Sequence, residues 1–329
     1  MSAVVSKVTR RRSGVLDVLR GSSIMGPLLA LVLAIIFFAT QSDKFLTGAN
    51  FSLIMQQVMV VGTLAIGQTL VILTGGIDLS NGMIMALASI LMTGLAMRSG
   101  LDPFVAIVLG ILAGAAVGAL NGSLITTIGL PPFIVTLGTL NIVYALVRIY
   151  TTSTITTLPK ILLFFGNTFS IGGTEITYGS VLMLILYAIA WFVLRSTPAG
   201  RAVYAVGDNP EAARLAGINT KRVLIGVYTI AALMYGIAGL LLVSRTGVGD
   251  PQAGQTSNLD SITAVVLGGT SLLGGRGQIL GTLIGALIVG VFRNGLQLMG
   301  VESTYQVLIT GILVILAVSV DYLSHRGSK

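Results

Sequence analysis

The side chains in this sequence that can do chemistry are few, and their apolar surroundings make them conspicuous. Gln56, Gln57, Gln68, Asn81, Asn121, Asn141, Asn294 and Gln297 fall in or beside long apolar runs. Each is a neutral amide that both donates and accepts hydrogen bonds. Such groups suit a path for a neutral, polyhydroxylated solute, because they bind hydroxyls without a fixed charge. Gln56, Gln68, Asp78, Asn81, Asn121, Asn141 and Asn294 are therefore the candidate path residues. The competing use is plainer: amides on membrane helices hydrogen-bond to neighbouring helices, for about 0.6 kcal/mol on average. Residue by residue, that is the commoner role.

Two charged groups sharpen the question. Asp78 lies in GGIDLSNG (75–82) between two apolar runs. On insertion scales an Asp at mid-membrane costs about 2.5–3.5 kcal/mol, and the cost falls near the boundary. Its spacing from the runs places it near the cytoplasmic boundary. There the favoured reading is an N-cap for a helix starting near Leu79 or Ser80, with solute contact as the alternative. Arg293, in GVFRNG (290–295), has three readings: it snorkels, pairs with a carboxylate, or lines a wet cavity.

Catalysis is not expected. The chain has no cysteine, and its one histidine, His325, falls in the polar C-terminal tail. No histidine cluster or carboxylate pair suggests a metal site or hydrolytic chemistry. GGTSLLGGRG (268–277) is glycine-rich but has Arg276 where a phosphate-binding loop needs Lys-Ser/Thr. It reads as a helix break or a tight turn.

The elements that must position these groups follow from composition. Of 329 residues, 54% are hydrophobic and 9% charged, against about 25% charged in a soluble domain. The mean hydropathy is +0.96. Stretches such as IVLGILAGAAVGAL are continuous rather than alternating, so the fold class is an all-α, polytopic transmembrane helix bundle and not a β-barrel. Apolar runs near 24–40, 52–74, 80–97, 104–127, 132–150, 178–194, 222–243, 259–273, 278–299 and 304–321 make about ten spans. The runs at 80–97 and 259–273 adjoin glycine-rich breaks. The domain plan is a basic N-terminal segment (1–23), a membrane domain (24–321) containing a polar loop (195–221), and a tail (322–329).

Orientation follows from lysine and arginine. Lys7, Arg10, Arg11, Arg12, Arg20, Arg195, Arg201, Arg214, Lys221, Arg222, Arg276, Arg326 and Lys329 fall on one side, and Lys44, Arg98, Arg148, Lys160 and Arg245 on the other. The richer side is cytoplasmic, with both termini on it. The first apolar run is an uncleaved signal anchor. The net charge of +8 is thus an orientation signal and not a nucleic-acid footprint.

Small residues recur along the spans, as in GILAGAAVGALNG (110–122) and GTLIGALIVG (281–290), which indicates close helix packing. GGIDLSNG resembles GGTSLLGG (268–275), and each precedes a glycine-rich span holding an Asn-Gly pair. A weak internal duplication is left open by this likeness, and paired helix breaks are where transporters built of two halves place their solute path.

One polar segment stands apart: GDNPEAARLAGI (207–218). Asn209 suits an N-cap, Pro210 the first helical position, and Glu211 the positive end of the helix dipole. Arg214 falls toward the negative end, and Gly217 is a left-handed terminator. A helix over about 210–216 is predicted. Helices shorter than about 12–15 residues are marginal alone, so this one needs a surface, and Ala212, Ala213 and Ala216 give it a narrow profile.

EAARLAG (211–217) matches the E-A-A-x-x-x-G pattern of bacterial ABC-importer permeases. With RAVYAVGDNPEAARLAGIN (201–219), GGIDLSNG and LDSITAVVLGGTSLLGGRGQILGTLIGALIVG (259–290), the chain from about residue 24 resembles the ribose/xylose/arabinose class of monosaccharide permeases. GGIDLSNG departs from the usual GGIDLSVG-like form at Asn81. The resemblance implies a homodimer in the bacterial inner membrane, surrounded by lipid, with a separate cytoplasmic ATPase and an extracytoplasmic sugar-binding protein. ATP and Mg would sit on the ATPase, and this chain would bind no cofactor. Asn209, Pro210, Glu211, Ala212, Ala213, Arg214, Leu215, Ala216 and Gly217 would form the helix that docks on the ATPase. A ribose- or fructose-like monosaccharide is the expected cargo. The alternatives are a nucleoside or a sugar-derived signal in the same family, or an ion-coupled secondary transporter, whose acids would be Asp78 and Asp260.

Overall fold

The computed structural model describes residues 24–326. The basic segment 1–23, with its orienting cations, and residues 327–329 of the tail lie outside the described residues. The helices are α1 (Met25–Gln41), α2 (Gly48–Leu73), α3 (Asn81–Met97), α4 (Pro103–Thr127), α5 (Pro132–Tyr150), α6 (Tyr178–Ser196), α7 (Pro198–Asp208), α8 (Pro210–Leu215), α9 (Thr220–Thr246), α10 (Ser257–Leu267), α11 (Ile279–Leu298) and α12 (Ser303–Arg326). Six of these (α2, α4, α5, α6, α9 and α11) are long and apolar enough to cross a membrane, and α1 and α3 are shorter apolar helices. The chain is a mostly helical polytopic membrane protein.

The architecture is organised around α2. Its 26 residues rise about 39 Å, and from Val58 to Leu73 every residue is buried. α9, α10, α11 and α6 pack around it. By contrast α1, α4, α5 and α6 turn large apolar side chains outward, among them Leu33, Leu112, Ile142 and Phe192. A bundle with an apolar rim and a central helix covered from Val58 to Leu73 is what lipid selects for. α4 lies against α9 and α3 through Gly110, Gly114, Gly118 and Gly122, spaced one per turn. A Cβ at Gly110 would meet the Ala88 carbonyl at 2.8 Å, and one at Gly122 the Ile225 Cα at 2.8 Å. Backbones approach this closely only where side chains are absent.

Two expectations are corrected. The run at 259–273 is not one helix: α10 ends at Leu267, and residues 268–278 are irregular. Gly269, Gly274 and Gly275 take φ of 82°, 86° and 69°, a left-handed backbone that no right-handed helix continues through. α10, with 11 residues, rises about 16 Å, roughly half of a 30 Å hydrocarbon core. The fold is also not purely helical. β1 (Thr168–Ile171) and β2 (Thr174–Thr177) form an antiparallel hairpin, with Thr168 opposite Thr177. Gly172 and Gly173 make its two-residue turn with φ of 58° and 81°, the geometry that matches strand twist.

The bundle has two distinct ends. At the hairpin end the α5–α6 connection bridges to the α9–α10 loop through Ile155 and Gly249, and Ser244 Oγ donates to the Leu162 carbonyl at 2.6 Å. At the other end the last turn of α2, the helices α7 and α8, and the loop 268–278 meet.

Candidate functional site

The short helix α8 is capped as its sequence requires. Asn209 Oδ1 accepts from the amides of Glu211 and Ala212 at 3.1 and 2.9 Å. Gly217 takes φ of 87°, and the Ile218 amide donates back to the Ala213 carbonyl at 3.0 Å. Glu211 and Arg214 form an exposed bidentate pair at 2.6 and 3.1 Å, and the guanidinium holds the Glu211 carboxyl below the usual carboxylate range. Ala213 is buried against the rest of the loop, while Ala212, Leu215 and Ala216 face outward, Leu215 with 76% of its surface exposed. Leu215, with Ala212 and Ala216 beside it on the exposed side, offers a largely uncovered apolar surface.

Immediately before α8, α7 runs into a junction built from backbone. Gly275 N donates to the Leu73 carbonyl at 2.9 Å, joining the glycine-rich loop to the end of α2. Gly207 sits against both: a Cβ there would strike the Leu73 carbonyl oxygen and come within 2.7 Å of Gly275 N. A Cβ on Gly274 would lie 2.8 Å from Gly75 N and from the Gly207 carbonyl. The two glycine motifs, 75–82 and 268–275, thus touch each other and the root of α8. Tyr204 fastens α7 to the same loop, its hydroxyl donating to the Gly277 carbonyl at 2.9 Å, and burial raises its pKa.

Inward from the junction runs a buried polar column. Asn81 Nδ2 donates to Gln68 Oε1 at 2.9 Å and to Ser261 Oγ at 2.8 Å, tying α3 to α2 and α10. The Tyr235 hydroxyl reaches Gln68 Oε1 at 3.3 Å. Asn121 donates to Ser80 Oγ at 3.2 Å and accepts from Thr139 Oγ1 at 2.6 Å. Asp78 Oδ1 accepts the Ser80 amide at 2.8 Å. Gln68 Nε2, Asp78 Oδ2, Asn81 Oδ1, the Tyr228 hydroxyl and Thr270 Oγ1 are buried and have no hydrogen-bond partner among the described residues. Each such atom costs about 1–3 kcal/mol, so the column is poised to hydrogen-bond something else.

On the hairpin side of this column lies a cavity of about 440 Å³, bounded by α2, α3, α9, α10 and α11. Gln57, Arg245, Asp250, Gln252, Gln255 and Arg293 give it polar walls, and Val60, Val61, Met85 and Val289 an apolar one. Arg293 Nη1 bonds Asp260 Oδ2 at 3.1 Å, with the aspartate buried and the arginine half exposed. Gly254, which lines the cavity, packs closely against Gly82 in α3, the neighbour of Asn81 in the polar column.

Comparison with known proteins gives these features a family. Residues 50–318 match the family model described as branched-chain amino acid transport system / permease component. The chain belongs to this permease family. It is a transport subunit and not an enzyme. Among its relatives, the fructose import permease protein FrcC of Rhizobium meliloti is 48% identical over 90% of this chain and 84% of its own length. The ribose import permease protein RbsC of Bacillus subtilis is 44% identical over 90% and 92%. The D-allose transport system permease protein AlsC of Escherichia coli is 36% identical over 91% of each.

The residues singled out from sequence fall in four places in this permease. Gln68, Asp78, Asn81 and Asn121 meet in the buried column. Asn294 lies apart from it, donating to Asn50 Oδ1 at 2.8 Å. Gln56 bonds Ser52 on its own helix at 3.4 Å, and Asn141 is exposed and bonds the Leu137 carbonyl at 3.0 Å. Asp78 is fully buried within the protein, and it is not the helix N-cap: Ser80 precedes α3, and Asp78 caps the turn before it. The reason is that α3 starts part-way along the bundle, level with Gln68 and Ser261. Of the three readings of Arg293, the carboxylate pair and the cavity wall both hold. Sequence reasoning missed Arg245 as a cavity residue, and it named Gln57 among the path-suited amides without carrying it into the candidate set. The available signal was an arginine inside the last turn of a span, just before the left-handed Gly247.

Proposed function

We propose that this chain is the membrane-spanning subunit of an ATP-driven importer for a monosaccharide. It works as a homodimer with a cytoplasmic ATPase on α8 and an extracytoplasmic binding protein at the hairpin end. ATP and Mg reside on the ATPase. Ten membrane-embedded helices, α1 to α6 and α9 to α12, put both termini in the cytoplasm of a bacterial inner membrane. The observation that carries the substrate class is identity of 36–48% over nine-tenths of the chain to permeases named for allose, ribose and fructose.

The geometry supplies a mechanism of alternating access. Closure of the ATPase pushes α8, whose exposed Leu215 and alanines provide the contact. The push reaches α2 and the glycine loop through Gly207 without an intervening flexible side chain. The helix breaks at 75–82 and 268–278 can then shift, opening the column that holds Gln68, Asp78, Asn81 and Asn121 to a solute waiting in the outer cavity. An ion-coupled carrier is less well supported, since Asp260 is already committed to Arg293. Reconstitution with its ATPase and binding protein tests the proposal: labelled fructose or ribose should enter proteoliposomes only with internal ATP. Uptake by this chain alone, driven by an ion gradient, overturns it.

A further inference from the structure

The outer cavity carries an inference that rests on the import function above and goes further. We propose that it is a monosaccharide site built into the permease itself, with Gln57 and Arg245 as solute contacts and Arg293 as a fixed wall.

Its size is right: about 440 Å³ lies within the roughly 300–1,000 Å³ of ligand pockets. Its chemistry is that of a site left incomplete by the protein. Gln57 Oε1 is buried and accepts no hydrogen bond among the described residues. Arg245, in the last turn of α9, lines the cavity and makes no hydrogen bond or ion pair among the described residues. A guanidinium offers five donors in a planar fork, and the interior otherwise satisfies such groups. Arg293 is the contrast, because Asp260 holds it.

The pairing of types is what a vicinal diol requires. Each sugar hydroxyl both donates and accepts, and the cavity is lined by donors on Arg245 and by the amide of Gln57 and the carboxylate of Asp250, whose Oδ1 also takes the Gln252 amide at 2.9 Å. The apolar wall at Val60, Val61 and Met85 faces the C–H side of such a ring. Two arginines on the walls disfavour a cationic solute. The location fits a handover, since the cavity lies at the hairpin end and its lining residue Gly254 packs against Gly82, next to Asn81 of the inner polar column.

The test uses the complete complex with ATPase and binding protein in proteoliposomes, with labelled fructose, ribose and allose as probes. Gln57→Leu and Arg245→Met should each lower uptake ten-fold or more while ATP hydrolysis stimulated by loaded binding protein persists. Arg245→Lys, which keeps charge but loses the fork, should recover part of the uptake. The persisting hydrolysis shows that the variants are folded and coupled. If either variant loses hydrolysis as well, direct binding of the labelled sugar to the detergent-solubilised permease–ATPase complex decides: millimolar binding to wild type, competed by unlabelled sugar, supports the site, and none overturns it. Wild-type uptake by both Gln57→Leu and Arg245→Met means the cavity holds only water, and overturns the site while leaving import intact. Failure of the wild-type complex to move any of the three sugars sinks the import reading instead.

Discussion

Gly207→Ala isolates the junction between α8 and the core. Two effects oppose each other. Alanine inside a helix is favoured over glycine by about 0.5–1 kcal/mol, and Gly207 has an ordinary helical backbone in α7. Against that, the new Cβ lies 2.7 Å from Gly275 N and closer still to the Leu73 carbonyl oxygen, below the 3.0 Å that real Cβ atoms keep. Neither neighbour is a side chain that can swing away. The backbones must part by on the order of 1 Å, at an overpacking cost of about 1–3 kcal/mol. The methyl wedges beside the Gly275 N–Leu73 O bond, and losing that buried bond adds about 1–3 kcal/mol. The clash therefore wins, by about 1–5 kcal/mol. Because the damage is confined to the junction, the permease should insert and bind its ATPase, yet lose ten-fold or more of its uptake per ATP hydrolysed. Gly226→Ala is the control, since nothing lies within 4 Å of a Cβ there. Uptake per ATP equal in Gly207→Ala, Gly226→Ala and wild type would refute the transmission route.

Other outcomes follow from the same geometry. Glu211→Arg together with Gly217→Arg should abolish ATP-driven uptake with normal membrane insertion, and undiminished uptake rules out docking at α8. Because Arg214 lowers the Glu211 pKa below its ordinary 4.5, the pair is fully formed above that value and is lost only as pH falls through the lower folded one. Coupling measured as uptake per ATP should thus show no inflection from this pair near neutral pH, and a loss there that Glu211→Gln removes contradicts the assignment. Asn81→Ala removes two buried bonds, leaving Gln68 Oε1 with the Tyr235 hydroxyl and Ser261 Oγ with the Asn258 carbonyl, and should destabilise the detergent-solubilised permease by about 1–3 kcal/mol, read as a lower thermal midpoint. Asp260→Asn should cost about 1–3 kcal/mol, less than the roughly 3–5 kcal/mol of a fully buried pair because Arg293 reaches solvent. Adding Arg293→Gln should recover part of it, and a purely additive double variant argues against the pair.

What was legible in the sequence was whatever depends on near neighbours. The helix at 210–215 was readable because Asn209, Pro210 and Gly217 act within one turn of it. The apolar runs were readable because bilayer thickness sets their length. Depth was not. Counting residues to the end of α2 gave no sign that protein covers Asp78 completely, because α3 and α10 both start inside the bundle, which only their packing against Gln68 and Gly82 reveals. Facing was not legible either: Gln56 and Gln57 are one residue apart, about 100° around a helix, and only tertiary packing turns Gln57 into the cavity. The hairpin escaped because its short, polar, threonine-rich strands look like loop until Gly172 and Gly173 are seen to turn.

The junction at Leu73, Gly207 and Gly275 is made of main-chain atoms, so it responds to position and is indifferent to the chemistry of the side chains around it. The walls of the outer cavity are side chains, and they lie on the far side of the Gly82–Gly254 contact. If the cavity holds the solute and α8 meets the ATPase, cargo preference and energy transmission fall in separate parts of the same helices. A permease of this design can acquire a new solute by exchanging cavity residues while keeping its motor connection untouched, and a hybrid carrying one relative's cavity walls on another's glycine junction should run on the second relative's ATPase.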